Sequence, residues 1–268
     1  MATYSSRIEA PAARWALSTR WLTRERAAPV FAGLGFLAVW EFYVRAFLPD
    51  FVATPLGIIQ AIPTTVASAE FWSDVSITLR AIVEGVVIGS AAGVLVGVAM
   101  GRVREINWFL SPYIRTLYAL PLVALVPIVI LWVGYQPAAR LVIVVISVFL
   151  PVAVTTADGT RAINKDYLDV GKMFGARTRD VWFGIALPAA LPFIVTGIEL
   201  GFARGITNAI AVEVLASVTG MGMSVFTKSN ELNENASLVY VLCLAVFAVT
   251  VRSLMVRFRQ WLAPWYHR

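Results

Sequence analysis

Charged residues are scarce in this sequence. Asp, Glu, Lys and Arg make up 14% of the 268 residues, whereas 59% are hydrophobic and the mean hydropathy is +0.76. A soluble domain is about 25% charged, so a soluble globular fold and a disordered chain are both excluded. One cysteine, Cys243, excludes an internal disulfide, and one histidine, His267, excludes a histidine-based catalytic site. A polytopic membrane protein remains.

Long uncharged segments recur along the chain, and each approaches the length that spans a bilayer. They predict an all-α fold with six transmembrane helices, at about residues 28–48, 77–101, 113–134, 138–158, 188–217 and 236–258. The fifth is too long for one simple span. We therefore expect a break near Gly205 or Asn208, and its second half could be a separate short helix.

Basic residues are distributed unevenly between the segments that connect these helices. Most of the 22 Lys and Arg residues lie in segments that share one side of the membrane, whereas the other side holds Arg45, Arg140 and Lys228. The positive-inside rule then places both termini in the cytoplasm. This gives an N-terminal cytoplasmic or interfacial segment (1–27), a transmembrane domain (28–258) and a basic aromatic tail (259–268). Because the basic residues are spread over separate segments, they give little support to nucleic-acid binding.

Glycine recurs every fourth residue in two predicted helices, so it lies along one face of each helix. The residues are Gly85, Gly89, Gly93, Gly97 and Gly101 in the second helix, and Gly197, Gly201 and Gly205 in the fifth. Small residues let helices approach closely in lipid, where no hydrophobic force drives association. We predict tight helix packing, with which sliding during a conformational change is compatible.

Few ionisable residues lie at membrane depth. They are Arg80, Glu84, Glu199, Arg204 and Glu213. Each costs about 2.5–3.5 kcal/mol at a helix centre on insertion scales, so it should face protein or water. Arg80 and Glu84 are four residues apart and suit an ion pair. All five, together with Asn208, are candidates for a translocation path or gate, and packing contacts are the alternative.

Residues 159–187 form the longest polar segment between predicted helices on the inner side. The spacing of Tyr167, Val170, Met173 and Phe174 predicts a short amphipathic helix that ends at Gly175. A helix of this kind commonly docks into a groove on a partner protein.

The same segment carries a specific motif. Asp169-Val-Gly-Lys-Met-Phe-Gly175, nine residues, and Ile185-Ala-Leu187-Pro188 resemble the EAA loop of permease subunits of ATP-binding-cassette (ABC) importers. Asp169 stands in place of the family's Glu, and Val170 and Gly171 in place of two alanines. Further segments resemble the nitrate/sulfonate/taurine branch, over roughly residues 30–260: Leu120–Pro127, Ile130–Gly134, Phe149–Pro151, Asp158–Gly159, Thr54–Pro55, and Glu213 with Gly220–Gly222.

The resemblance implies a type I ABC importer permease fold in a bacterial cytoplasmic (inner) membrane. The implied partners are a second copy of the permease in a homodimer, two ATPase subunits and an extracytoplasmic substrate-binding protein. The implied ATPase-coupling residues are Asp166, Tyr167, Asp169, Val170, Gly171, Met173, Phe174, Gly175, Ile185, Leu187 and Pro188. The implied cargo is a small anion such as a sulfonate, taurine, nitrate or bicarbonate, with an aromatic carboxylate or vitamin precursor as the alternative.

Catalytic and nucleotide-binding motifs do not occur in the sequence. Gly171-Lys172 is followed by Met173 and does not complete a phosphate-binding loop. We therefore expect no enzyme activity, no metal and no cofactor in this chain, with ATP and Mg bound by the ATPase partners. A stand-alone channel or secondary transporter is the second hypothesis, but it requires an inverted repeat, which the sequence does not display. An intramembrane enzyme is the third, and it requires a catalytic constellation.

Overall fold

The computed structural model describes residues 18–163, 173–177, 180, 184 and 186–262. Over these residues the fold is helical, without a strand. The elements are α1 (Ser18–Phe47), α2 (Pro55–Val66), α3 (Ala69–Arg102), α4 (Arg104–Ala119), a 3₁₀ turn (Leu122–Leu125), α5 (Val126–Val133), α6 (Pro137–Arg161), α7 (Leu187–Leu215), α8 (Met221–Asn230) and α9 (Glu234–Leu262). The predicted all-α class is confirmed.

Five helices in the described part of the chain are long and apolar enough to cross a membrane: α1 from Ala28, α3, α6, α7 and α9 up to Gln260. The count becomes six if α4 and the helical segment Leu122–Val133 form one bent span. Six spans put both termini on the same side of the membrane. Which side faces the cytoplasm stays a prediction from the basic residues.

The third predicted span is not the single helix that was expected over 113–134. It begins at Arg104, and its two parts meet at an angle of 97°. Pro121 explains the break, because proline has no N–H to donate and disfavours a helical conformation at the residue before it. Leu120 is accordingly extended, with φ −76° and ψ 144°.

The break that was expected in the fifth span is also absent. α7 is continuous from Leu187 to Leu215, and the chain turns only beyond it, where Ser217 has a φ of +50°. A separate short helix, α8, then follows from Met221. The prediction of a break near Gly205 or Asn208 was wrong because both residues pack on α6. Gly205 faces Val148, and Asn208 donates a hydrogen bond to Ser147.

α6 is the central helix, and both glycine ridges contact it. A Cβ added to Gly93 would lie 2.7 Å from the Cβ of Val152, and one added to Gly201 would lie 3.0 Å from the carbonyl oxygen of Val148. The first distance is too short for a real side chain, and the second is tighter than most Cβ contacts. Val148 and Val152 are fully buried between the ridges. α3, α6 and α7 therefore form a closely packed unit that positions the residues described below.

Candidate translocation pathway and coupling loop

A cavity of about 490 Å³ lies beside the break between α4 and α5. Residues 118–123 line one side, and Ala203, Arg204, Thr207 and Asn208 of α7 line the other. The turn at Pro121 produces this arrangement, because it directs the end of α4 and the start of the 3₁₀ turn towards the face of α7.

Arg204 is held in this cavity by Tyr118. Its guanidinium carbon lies 4.1 Å from the centre of the Tyr118 ring, and its Nη1 donates a hydrogen bond of 3.2 Å to the Tyr118 carbonyl oxygen. The residues that line the cavity include no acidic side chain. The cavity therefore combines one fixed positive charge with a mostly apolar wall.

Glu213 lies in a buried polar cluster, which comprises Thr78, Arg140, Glu213 and the segment Thr219–Gly222. The Glu213 side chain is fully buried. Its Oε1 accepts hydrogen bonds from Thr78 Oγ1 at 2.7 Å and from Arg140 Nη1 at 2.8 Å, and its Oε2 accepts from the Gly222 N–H at 2.7 Å. Glu213 thus lines no open surface of this chain.

The charge count places Arg140 in an outer loop, but the residue lies in the first turn of α6, within the predicted span 138–158. Its side chain is buried, since the residue is only 4% exposed. Nη1 also donates a hydrogen bond of 2.9 Å to the Thr219 carbonyl oxygen. Thr78 contributes a second contact by accepting a hydrogen bond of 2.9 Å from the Met221 N–H. The cluster thereby joins α3, α6 and α7 to the start of α8. One sequence signal existed: Arg140 stands between two uncharged segments, as Glu213 does.

Gly220 allows the chain to close over this cluster. It has a φ of +153°, and a Cβ at this position would overlap the Glu213 carboxylate. Any other residue would push the Thr219–Gly222 segment away from Glu213 and weaken the Gly222 hydrogen bond.

The remaining charged candidates lie apart from the Arg204 cavity. Arg80 Nε and Glu84 Oε1 are 2.7 Å apart, and both side chains are exposed on α3. Glu199 of α7 lies 3.7 Å from both Arg252 and Arg259 of α9, beside a second cavity of about 560 Å³. Of the six candidates, Arg204 and Asn208 line the cavity of about 490 Å³ together, and the other four do not line it.

The described part of the coupling loop exposes two large apolar side chains. Met173 is 86% exposed and Phe174 is 89% exposed, and Gly175 follows with a φ of +76°. Leu187 and Pro188 begin α7. Asp166, Tyr167, Asp169, Val170, Gly171 and Ile185 lie outside the described residues.

Comparison with known proteins identifies the family of this chain. The family described as "Binding-protein-dependent transport system inner membrane component" matches residues 85–268. The chain belongs to this family. It is therefore an ABC transporter permease subunit of the inner membrane, and such subunits are not themselves enzymes.

Curated relatives align over most of the chain. The taurine transport system permease protein TauC of Escherichia coli (strain K12) is 25% identical over 93% of this chain and 94% of its own length. The putative aliphatic sulfonates transport permease protein SsuC of the same organism is 27% identical over 85% of this chain and 86% of its own. The formylaminopyrimidine transport permease protein ThiX of Halalkalibacterium halodurans is 25% identical over 72% of this chain and 78% of its own.

Solved structures show the same fold at lower identity. A chain of an amino acid ABC transporter superimposes with a TM-score of 0.59 at 14% identity, covering 80% of this chain and 99% of that chain. A chain of the methionine ABC transporter gives 0.58 at 16% identity, covering 79% of this chain and 99% of that chain. The expected importer permease fold is confirmed.

Proposed function

We propose that two copies of this chain form the membrane pathway of an ATP-driven importer. Two ATPase subunits dock on the cytoplasmic side and bind ATP with Mg, and an extracytoplasmic binding protein delivers the cargo. The observation that carries this proposal is the exposure of Met173 and Phe174, which directly precede Gly175. Two apolar side chains about nine-tenths exposed beside the bilayer suit a partner's groove.

Alternating access requires the ATPases to move the membrane helices. ATP can shift the complex only if it binds one arrangement more tightly than the other. α7 suits the transmission of this movement because it begins at Leu187, directly after the coupling loop, and continues unbroken for 29 residues. At a rise of 1.5 Å per residue this helix is about 40 Å long. A displacement of its inner end therefore reaches both Arg204 and Glu213.

The cargo class we propose is a small organic anion, with a sulfonate first and a vitamin precursor second. The taurine and aliphatic sulfonate permeases among the relatives support this order. ThiX supports the second choice. The positive charge of Arg204 in a cavity without acidic lining residues also favours an anion.

Co-purification tests the coupling. The native chain, expressed with its ATPase and binding protein, should retain the ATPase through purification, and the loaded binding protein should stimulate ATP hydrolysis. Phe174→Ser should reduce ATPase retention by removing an apolar contact. Trp132→Ser is the matched control, because Trp132 is 81% exposed but lies on α5, at the predicted outer end of the third span. Equal ATPase retention by native chain and Phe174→Ser would refute the docking assignment.

A further inference from the structure

The Arg204 cavity offers more than a passage for cargo. We propose that the permease itself contains an anion-binding site, in which Arg204, fixed by Tyr118, binds the sulfonate group of a small organic anion. This inference rests on the proposed transport function and adds a substrate contact within this chain, separate from the binding protein.

The pairing of charges on the membrane helices favours a bound anion at Arg204. Three other ionisable side chains on the membrane helices have oppositely charged partners: Glu213 with Arg140, Glu199 with Arg252, and Arg80 with Glu84. Within the residues that the structure describes, Arg204 has no carboxylate within 4 Å, and its contacts are the ring and carbonyl oxygen of Tyr118. A guanidinium at membrane depth without an anionic partner is costly. A bound anion would supply that partner.

The hydrogen-bonding geometry of the Arg204 guanidinium suits an oxyanion. A guanidinium carries five N–H groups in a planar fork that suits two oxygens of one oxyanion. The Tyr118 carbonyl accepts from Nη1, and the ring supports one face of the guanidinium. Arg204 is therefore oriented before the ligand arrives, which reduces the entropy lost on binding.

The shape and polarity of the cavity suit a small organic sulfonate. Its volume of about 490 Å³ falls in the range of small-molecule sites. Leu120, Leu122 and Val123 line it opposite α7, so a short alkyl chain has apolar contacts while its sulfonate faces Arg204. Few polar groups compete for the charge, and an apolar wall strengthens the electrostatic attraction.

Thiol labelling tests the site without knowledge of the natural cargo. Thr207 is exposed, lines the cavity and lies one helical turn from Arg204. In the assembled transporter with Cys243→Ser, Thr207→Cys would be reacted with two methanethiosulfonate reagents. One carries a sulfonatoethyl group and is anionic, and the other carries a trimethylammonioethyl group and is cationic. The ratio of their labelling rates reports the local charge and access.

We expect the ratio of the anionic to the cationic labelling rate to be at least about fivefold higher at Thr207→Cys than at a reference thiol. The reason is that the unit charge of Arg204 lies within one helical turn of residue 207. The reference is Leu215→Cys, which is half-exposed at the far end of α7. Arg204→Gln should abolish the preference, and Arg204→Lys should keep most of it. Excess ethanesulfonate should slow the labelling when Arg204 is present.

Three results would overturn the site. These are a Thr207→Cys thiol that neither reagent reaches, equal rate ratios with Arg204 and with Arg204→Gln, and labelling that excess ethanesulfonate leaves unchanged. Failure of the proposed function is read separately, from ATPase retention and stimulated hydrolysis in the Cys243→Ser transporter.

Discussion

Removing Arg140 should destabilise the outer part of the fold strongly. Arg140→Ala deletes the bond of 2.8 Å to Glu213 and the bond of 2.9 Å to the Thr219 carbonyl oxygen. The Glu213 carboxylate would stay fully buried and would keep its hydrogen bonds from Thr78 and the Gly222 N–H. Breaking a buried pair in this way costs about 3–5 kcal/mol, because an uncompensated charge remains.

Thermal unfolding of the purified transporter measures this cost. At about 2–4 °C per kcal/mol for chains of this size, Arg140→Ala should lower the unfolding temperature of the permease by roughly 10 °C. Adding Glu213→Gln should recover a large part of the loss, because it removes the buried charge, its amide oxygen can still accept from the Gly222 N–H, and its NH2 group can donate to Thr78 Oγ1. Lys228→Ala is the surface control: Lys228 pairs with the exposed Glu231 at 3.4 Å, and its loss should cost under about 1 kcal/mol.

The double variant decides between charge and packing. If Arg140→Ala with Glu213→Gln unfolds at the same temperature as Arg140→Ala alone, the loss comes from the missing side-chain volume. An unfolding temperature for Arg140→Ala equal to that for Lys228→Ala would refute the reasoning that the cluster joins α3, α6, α7 and α8.

Three further predictions follow from the glycines. Gly93→Leu should prevent α3 from packing on α6 and lower the yield of folded protein. Gly33→Leu should not, because a side chain at Gly33 would meet open space. Equal yields of monodisperse protein in gel filtration would contradict the ridge packing. Gly220→Ala should lower the unfolding temperature of the permease, because its methyl group would overlap the Glu213 carboxylate; an unfolding temperature equal to that of the native chain would contradict this close approach. Gly175→Ala should reduce transport-coupled ATP hydrolysis and lower the unfolding temperature less than Arg140→Ala does, because a φ of +76° costs alanine about 1–2 kcal/mol; unchanged coupling would contradict the turn's role.

Much of the fold was predictable because membrane spans and packing ridges are repeated signals. Uncharged length marks a helix in lipid, and glycine at every fourth residue marks a close contact, so the ridges beginning at Gly85 and Gly197 could be read from spacing alone. The helix bounds were less accurate. The uncharged segment did not reveal the 97° bend at Pro121, because that angle depends on how the chain packs on both sides of it.

The candidate site was predictable in part. Arg204 and Asn208 were found because polar residues in a membrane helix are conspicuous, yet Tyr118 was not, because an aromatic residue in an apolar segment carries no signal. The role of Arg140 was missed for a different reason. A basic residue at the start of a span counts as a loop residue in a charge tally, and only the position of Glu213, 73 residues further along the chain, reveals the pair.

This chain should transport only when an ATPase moves it, and uptake by proteoliposomes measures that dependence. Vesicles containing this chain with its ATPase, loaded with ATP, should accumulate labelled taurine or ethanesulfonate when the binding protein is outside. Vesicles containing this chain alone should accumulate neither. Uptake by the chain alone at the same rate would contradict the account and establish a stand-alone transporter.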